Sequence, residues 1–382
     1  MGDGNRPDSI DVVLGTRPEA IKLAPVVREL SSRGVTVRVV LTGQHRTMVD
    51  DLLGPLGLRH YVTADLGVMR HGQSLNRLVA RVVRSMEQHW ERDSPSAVVV
   101  QGDTTSAMCA ALAAFHRRLP VAHVEAGLRS GRHEDPFPEE ANRRIVTALA
   151  SLHFAPTERA LGNLLREGVE PESAVLTGNT SIDSLRWIQG RGLGTSAFSH
   201  GAPGLKVLVT LHRREAQGAA MRKVACALAG AASRFGLRVL VPMHASPAVR
   251  ASIVPELAGR RGVTLVEALP YVDFVATLAD ADFAVTDSGG VQEEAPAVGT
   301  PVLVVRETSE RMEAVDSGSA ILAGTDARQI GRHLERLATD SGLRARMARP
   351  CSPFGDGEAS RRIADHLVDS LVRTSARDAS GY

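Results

Sequence analysis

The chain has 382 residues, enough for two domains at roughly 100–200 residues each. Its 45 Lys and Arg face 43 Asp and Glu, so a net charge of +2 offers no field for a polyanion, and aromatics at 3% leave few platforms for stacked bases. These counts exclude a nucleic-acid partner, and the lack of any apolar run of ~18–20 residues excludes a membrane one, leaving a globular enzyme composition.

Residues 1–9 are polar and carry no signal-peptide core. The first strand is expected at 11–14 (DVVL), followed by a Gly15-Thr16-Arg17-Pro18 turn and a helix over about 19–32. A second strand follows at 35–41, a helix near 75–91 and a third strand at 97–101. A helix over 105–118 leads to a further strand at 120–124. Then comes a Gly-, Ser- and Ala-rich stretch, 189–204, read as a connection between an N-terminal domain (1–188) and a second one (205–357). The second domain repeats the alternation, with strands at 205–210, 238–242, 263–266, 283–286 and 302–305. An amphipathic helix from about 358 lies in a segment, 358–375, expected to pack back on the first domain, before a frayed tail at 376–382.

Continuous β-branched strands separated by helices define an α/β class with two doubly wound parallel sheets. Two such domains leave a cleft, and ligands of such sheets sit beyond the carboxyl ends of the strands. Cys109, Cys226 and Cys351 are odd in number and far apart, so they are expected to be reduced, mostly buried thiols of a cytoplasmic protein. No Cys-x-x-Cys or His-x-x-x-His spacing suggests a metal. Only three lysines occur, Lys22, Lys206 and Lys223, which makes each worth inspection.

Chemistry is therefore sought in the strand-end loops. Arg17 and Lys22 in GTRPEAIK put two cations at a helix start that already favours anions. Asp103 in QGDTTSA reads equally well as a helix cap or a catalytic acid. Glu125 directly follows the buried strand VAHV, and Glu139, Glu140 and Arg143 open another helix in PFPEEANRR. Three successive loops thus supply a carboxylate to one rim. In the second half, His212, Arg213 and Arg214 follow one strand and His244 the next. Ser288-Gly289-Gly290, between a strand and a helix, lets bare amides approach a phosphate, and Glu293 and Glu294 follow where a carboxylate accepts ribose hydroxyls. Neither the Walker pattern nor the dinucleotide fingerprint is present, so no cofactor is implied.

GTRPEAIK, TGQH, GDTTSA, HVEAGLRSG, PFPEEANR, TGNTSIDSL, HRRE, TDSGGVQEEAP and RETSER occur in the order seen in non-hydrolysing UDP-N-acetylglucosamine 2-epimerases, which the chain resembles from about residue 11 to 371. The resemblance implies two Rossmann-like domains of glycosyltransferase-B type with the active site between them, a homodimer, and interconversion of UDP-GlcNAc and UDP-ManNAc. It implies that Arg17, Lys22, Asp103, Glu125, Glu139 and His212 line the reacting sugar and diphosphate. It puts Ser288, Gly289 and Gly290 on the diphosphate, Glu294 on the ribose and Phe274 against the uracil, with His244 also on the substrate. Relatives that bind a second UDP-GlcNAc as activator do so near the TGQH loop; Gln44, His45 and Gln73 are retained here, whereas Thr47 and Gly72 replace Gln and Arg of some activated members. Met312 and Ala245-Ser246-Pro247 also depart from the usual pattern. The Pro18-Glu19-Ala20 loop favours the non-hydrolysing branch over a hydrolysing epimerase; a glycosyltransferase on the same fold and a catalytically silent nucleotide-sugar sensor are the other readings open.

The chemistry explains the need for carboxylates. The C2 hydrogen of a 2-acetamido sugar has no adjacent carbonyl, so direct deprotonation is implausible. Expelling UDP first makes C1 oxocarbenium-like and acidifies C2–H, which a carboxylate then removes.

Overall fold

The computed structural model describes residues 9–44, 46–70, 72–134, 136–212, 218–349 and 351–379, with the side chains of 46–48 and 371–379 left aside. His45, Arg213, Arg214, most of the polar N-terminal stretch and the last three residues of the expected tail lie outside that description.

The chain divides into two compact units, Met1–Ser184 with Phe354–Tyr382, and Leu185–Pro353. The first contains, in order, β1 (Ser9–Leu14), α1 (Arg17–Ser32), β2 (Thr36–Leu41), α2 (Arg46–Leu53), β3 (Val62–Asp65), α3 (Leu75–Arg92), β4 (Ala97–Gln101), α4 (Thr105–His116), β5 (Val121–Val124), α5 (Glu139–Leu149), β6 (Leu152–Ala155), α6 (Glu158–Arg166), β7 (Ala174–Leu176) and the start of α7 (Thr180–Gly190). Its seven strands pair in parallel in the order β3-β2-β1-β4-β5-β6-β7. The runs VVL of β1 and AVVV of β4 are buried throughout, because helices cover both faces of the sheet. Asp11 on β1 is fully buried but takes hydrogen bonds from Arg38 Nε at 2.6 Å and Trp90 Nε1 at 2.8 Å.

The second unit continues with β8 (Lys206–Thr210), α8 (Ala219–Phe235), β9 (Arg238–Pro242), α9 (Pro247–Leu257), β10 (Val263–Val266), α10 (Tyr271–Asp280), β11 (Phe283–Thr286), α11 (Gly289–Ala297), β12 (Val302–Val304), α12 (Met312–Asp316), β13 (Ala320–Leu322), α13 (Ala327–Thr339) and α14 (Ser341–Met347). Its sheet is also parallel, in the order β10-β9-β8-β11-β12-β13. In each unit the order reverses beside the first strand, between β1 and β4 and between β8 and β11. The loops after these strands are where ligands of such sheets bind.

Residues 189–204 belong to the second unit. Gln189 and Gly190 finish α7, and the Thr195 and Ala197 amides donate to Asp273 and Thr277 of α10 at 2.8 and 3.0 Å. The chain returns to the first unit in α15 (Ala359–Ala379), whose Asp365 pairs with Arg33 after α1 at 2.7 Å. Its first turn is fixed by buried Asp183, which accepts from the Ser360 amide at 2.7 Å and hydroxyl at 2.6 Å. The helix runs beyond the expected boundary into the segment read as a tail. The thiols also differ from expectation: Cys109 is buried, but Cys226 is exposed and Cys351 half-buried. Cys226 lies on the outer side of α8, whose core side is built from Met221, Val224, Ala225 and Leu228.

Candidate active site

Residues flanking the switch point of the first unit interlock. Gly15 follows β1, and a Cβ there would come within 2.6 Å of Thr42 Oγ1 and 2.7 Å of Ser106 Oγ, so only glycine lets this loop approach the end of β2 and the first turn of α4. Arg17 begins α1, half-buried. One turn on, Glu19 points back into the loop. Its Oε2 accepts the Gly15 and Thr16 amides at 2.7 and 2.6 Å, and its Oε1 accepts the Thr104 hydroxyl. Glu19 thus ties the β1–α1 loop to the β4–α4 loop.

Burial outweighs those three donors and pushes Glu19 up to about 7 from an ordinary 4.5. A carboxyl raised on folding contributes stability that is fully present below its unfolded pKa and is lost as pH rises through the folded one. Glu19→Gln removes that titration. Its stability relative to wild type should therefore improve between pH 4.5 and 8, by a change of about 3 kcal/mol. Denaturant melts at the two pH values check this; a difference that is flat or grows the other way contradicts it.

Asp103 is not the cap of α4. Thr104 takes that place, its hydroxyl accepting the Ala107 amide at 3.0 Å, which leaves the Asp103 carboxylate for other partners. Arg143 on α5 grips Asp103 Oδ2 through Nε at 2.8 Å and Nη2 at 2.6 Å, and Asn142 Nδ2 holds its carbonyl at 2.8 Å. Arg143 is itself steadied by fully buried Glu140 at 3.1 Å, which also accepts the Ser130 amide at 3.0 Å. Glu140 is therefore a brace rather than a simple first-turn acid. Glu139 opens α5 beside it, half-buried. Below the rim, His123 Nε2 donates to the Gly102 carbonyl at 2.8 Å; burial pushes this imidazole down to about 3, so it stays neutral and fixes the loop before Asp103.

Glu125 follows β5 with a positive φ of 65°, a conformation few non-glycine residues adopt and one held here by a dense set of partners. Lys22 Nζ donates to its Oε1, Gln101 Nε2 to its Oε2, and Asn179 Nδ2 to Oε1 at 3.2 Å. Three donors converging on one buried carboxylate suit the anion. Of the expected first-unit residues, Lys22 and Glu125 are in direct contact, and Asp103 and Glu139 are joined through α5. Gln44 bonds Ser106 at 2.6 Å, whereas Gln73 bonds Arg81 at 3.1 Å, so the two have different partners.

In the second unit, the His212 amide donates to both oxygens of buried Asp287, at 3.1 and 3.0 Å, and its Nε2 lies 3.9 Å from Oδ1. Its ring stacks on that of His244, centroids 5.7 Å apart. Ser288 precedes α11, which starts at Gly289. A Cβ on Gly289 would lie 2.8 Å from Arg311 Cζ, so the guanidinium packs over this first helical residue. Arg311 Nε is fixed by Glu293 at 2.8 Å. Glu293 thereby has a structural partner, while Glu294 is oriented by the Tyr271 hydroxyl at 2.8 Å. Phe274, three residues along α10 from Tyr271, is half-buried. The Ser288 amide is taken by Thr286 Oγ1 at 2.9 Å, so the expected cradle narrows to the amides of Gly289 and Gly290 at the start of α11. With the Arg311 guanidinium beside them and the oriented Glu294 carboxylate behind, the arrangement is suited to a nucleoside diphosphate.

Gln101, Thr104, Asn179, Tyr271, Asp287 and Arg311 carry this geometry but were not foreseen as site residues. All except Tyr271 lie within or beside the motifs quoted above, and that proximity was their only signal.

Two Rossmann-like units with glycine-rich and carboxylate-bearing strand ends are the architecture of a two-domain nucleotide-sugar enzyme. The calicheamicin glycosyltransferase CalG4 has this fold, with a TM-score of 0.59 at 18% identity over 97% of this chain and 99% of its own. The sequence matches the UDP-N-acetylglucosamine 2-epimerase family over residues 28–368, and the chain belongs to that family. It is 42% identical to a UDP-N-acetylglucosamine 2-epimerase of Yersinia pestis over 94% of this chain and 98% of the relative. With one of Bacillus subtilis it shares 40% identity, over 93% and 94%. A crystal structure of UDP-GlcNAc 2-epimerase from Neisseria meningitidis bound to UDP-GlcNAc superposes with a TM-score of 0.90 at 37% identity, over 94% of this chain and all of that one. A Staphylococcus aureus MnaA–UDP co-structure gives 0.88 at 36%, over 95% and 97%. Among the described residues no helix is long and apolar enough to cross a membrane.

Proposed function

We propose that the chain interconverts UDP-N-acetylglucosamine and UDP-N-acetylmannosamine without net hydrolysis, by eliminating UDP and adding it back. The observation that carries this reading is the buried Glu125 with its Lys22, Gln101 and Asn179 donors, beside the Asp103–Arg143 pair. Carboxylates so arranged are suited to moving a proton on and off carbon. Membership of the epimerase family and the UDP-GlcNAc and UDP bound in its Neisseria and Staphylococcus relatives support the substrate.

The C1–O bond breaks with its electron pair leaving on the β-phosphate oxygen of UDP. Glu125 takes the C2 proton, and the C–H pair becomes the C1=C2 bond of 2-acetamidoglucal. Asp103 or Glu139 then delivers a proton to the opposite face of C2, and UDP rejoins at C1. Arg17, the Ser288 hydroxyl, the amides of Gly289 and Gly290, and Arg311 stabilise the leaving diphosphate, where negative charge develops. His212, aligned by Asp287, donates toward the bridging oxygen; Glu294 accepts ribose hydroxyls and Phe274 lies against the uracil, with His244 stacked behind His212. We take the working form to be a cytoplasmic homodimer, on the family resemblance.

Turnover of UDP-GlcNAc in D₂O, followed by NMR, tests the reading. Deuterium is expected at C2 of both UDP-sugars, with UDP-ManNAc accumulating. Stoichiometric free UDP and free ManNAc indicate a hydrolysing enzyme instead, and an epimer that keeps its original hydrogen removes the elimination route.

A further inference from the structure

The TGNTSIDSL segment carries a buried side chain into contact with Glu125. Asn179 within it is 2% exposed. Three contacts fix it. Its backbone N–H donates to the Phe354 carbonyl at 2.6 Å, its side-chain Oδ1 accepts the Ser181 amide at 3.0 Å, and its Nδ2 donates to Glu125 Oε1 at 3.2 Å. The backbone bond is possible because Gly178 lies against Gly355: a Cβ on Gly178 would meet Gly355 Cα at 3.2 Å. With its backbone pinned and Oδ1 committed to the first turn of α7, the amide has one orientation, and that orientation aims a donor at Glu125.

We infer that Asn179 is a positioning residue for Glu125, fixing the carboxylate oxygen shared with Lys22 so that the other stays aligned for C2. This rests on the proton-transfer role proposed above for Glu125. The helix start alone does not require Asn, since Asp and Ser cap as well by accepting the same amide. Only Asn both accepts from Ser181 and donates to Glu125. The distinction matters because Glu125 sits at a positive φ, where the backbone gives its side chain little independent support.

Asn179→Asp separates the two roles. It keeps the acceptor for Ser181 and replaces the donor by a second carboxylate facing Glu125, with Lys22 as the cation they share. The expected result is a kcat lowered roughly 10–150-fold, as for loss of a hydrogen bond to a charged group, with KM for UDP-GlcNAc near wild type and a melting temperature lowered by the second buried carboxylate, which Lys22 offsets only in part. The primary isotope effect with substrate deuterated at C2 should rise, because proton removal has become slower. Asn179→Ser, which caps through its hydroxyl but is too short to reach Glu125, should show a smaller loss in the same direction, and it decides the matter if the Asp variant does not fold. Wild-type kcat and isotope effect in the folded variants, or a change confined to KM, reduce Asn179 to a helix cap and overturn the inference while leaving the epimerisation reading intact. A wild-type enzyme that incorporates no deuterium at C2 overturns that reading and this inference with it.

Discussion

Glu125→Gln lowers kcat by roughly 10²–10⁴-fold, the range a positioned proton-transfer group contributes, while UDP binds as in wild type. Glutamine keeps the shape of the side chain and its backbone setting, including the positive φ. It cannot take a proton from carbon. Its amide also meets a set of partners that all donate, Lys22 Nζ, Gln101 Nε2 and Asn179 Nδ2, so it cannot reproduce the alignment of the carboxylate either. UDP affinity is spared because the groups assigned to the nucleotide and diphosphate lie on other elements: Arg17 at the start of α1, Ser288 to Gly290 and Glu294. Steady-state turnover of UDP-GlcNAc together with calorimetry of UDP separates the two quantities. Wild-type kcat in this variant removes Glu125 from the chemistry, and a parallel collapse of UDP binding shows that it serves the fold instead.

The second large effect is expected from Lys22→Met. Lys22 and Glu125 are 9% and 7% exposed in their side chains, so the pair is buried. Removing one partner of a buried pair typically costs about 3–5 kcal/mol, because the charge left behind has lost its compensation. The melting temperature of the first unit should fall by roughly 6–20 °C. The double variant Lys22→Met/Glu125→Gln, with no buried charge left at this pair, should recover most of the loss and remain inactive. That pattern is a coupling between neighbours, measured by the four melting temperatures of the cycle. If the double variant is as unstable as the sum of its parts, Lys22 contributes through packing of its stem and not through its charge.

The parts of the fold legible in the sequence were those whose signal is local. AVVVQ, RVLVP, VTLV and FAVT declare themselves as strands by continuous apolar, β-branched runs, and their bounds agree with the observed β4, β9, β10 and β11. The strands passed over were β3, β6, β7 and β13: VTAD and LHFA are broken by a polar residue, and AVL and AIL are only three residues long and lack a continuous β-branched run. The same divide runs through the site. Asp103, Glu125 and Ser288 to Gly290 were visible because they end strands. Thr104 displaced Asp103 as the cap, which no spacing rule decides when two good capping residues are adjacent. The Glu19–Thr104 and Asn179–Glu125 bonds join residues 85 and 54 positions apart, and such contacts leave no trace in a periodicity. Cys226 illustrates the remaining source of error: a residue type that is usually interior took the outward side of α8.

The return of α15 to α1 has a consequence for biosynthesis. A nascent chain generally folds domain by domain as it leaves the ribosome. Here the amino-terminal unit lacks its Asp365 partner for Arg33 and its Ser360 partner for Asp183 until the whole of the intervening unit has been translated. The middle of the polypeptide is thus free to reach its native state before the beginning does, and the start of the protein is the last part to be sealed.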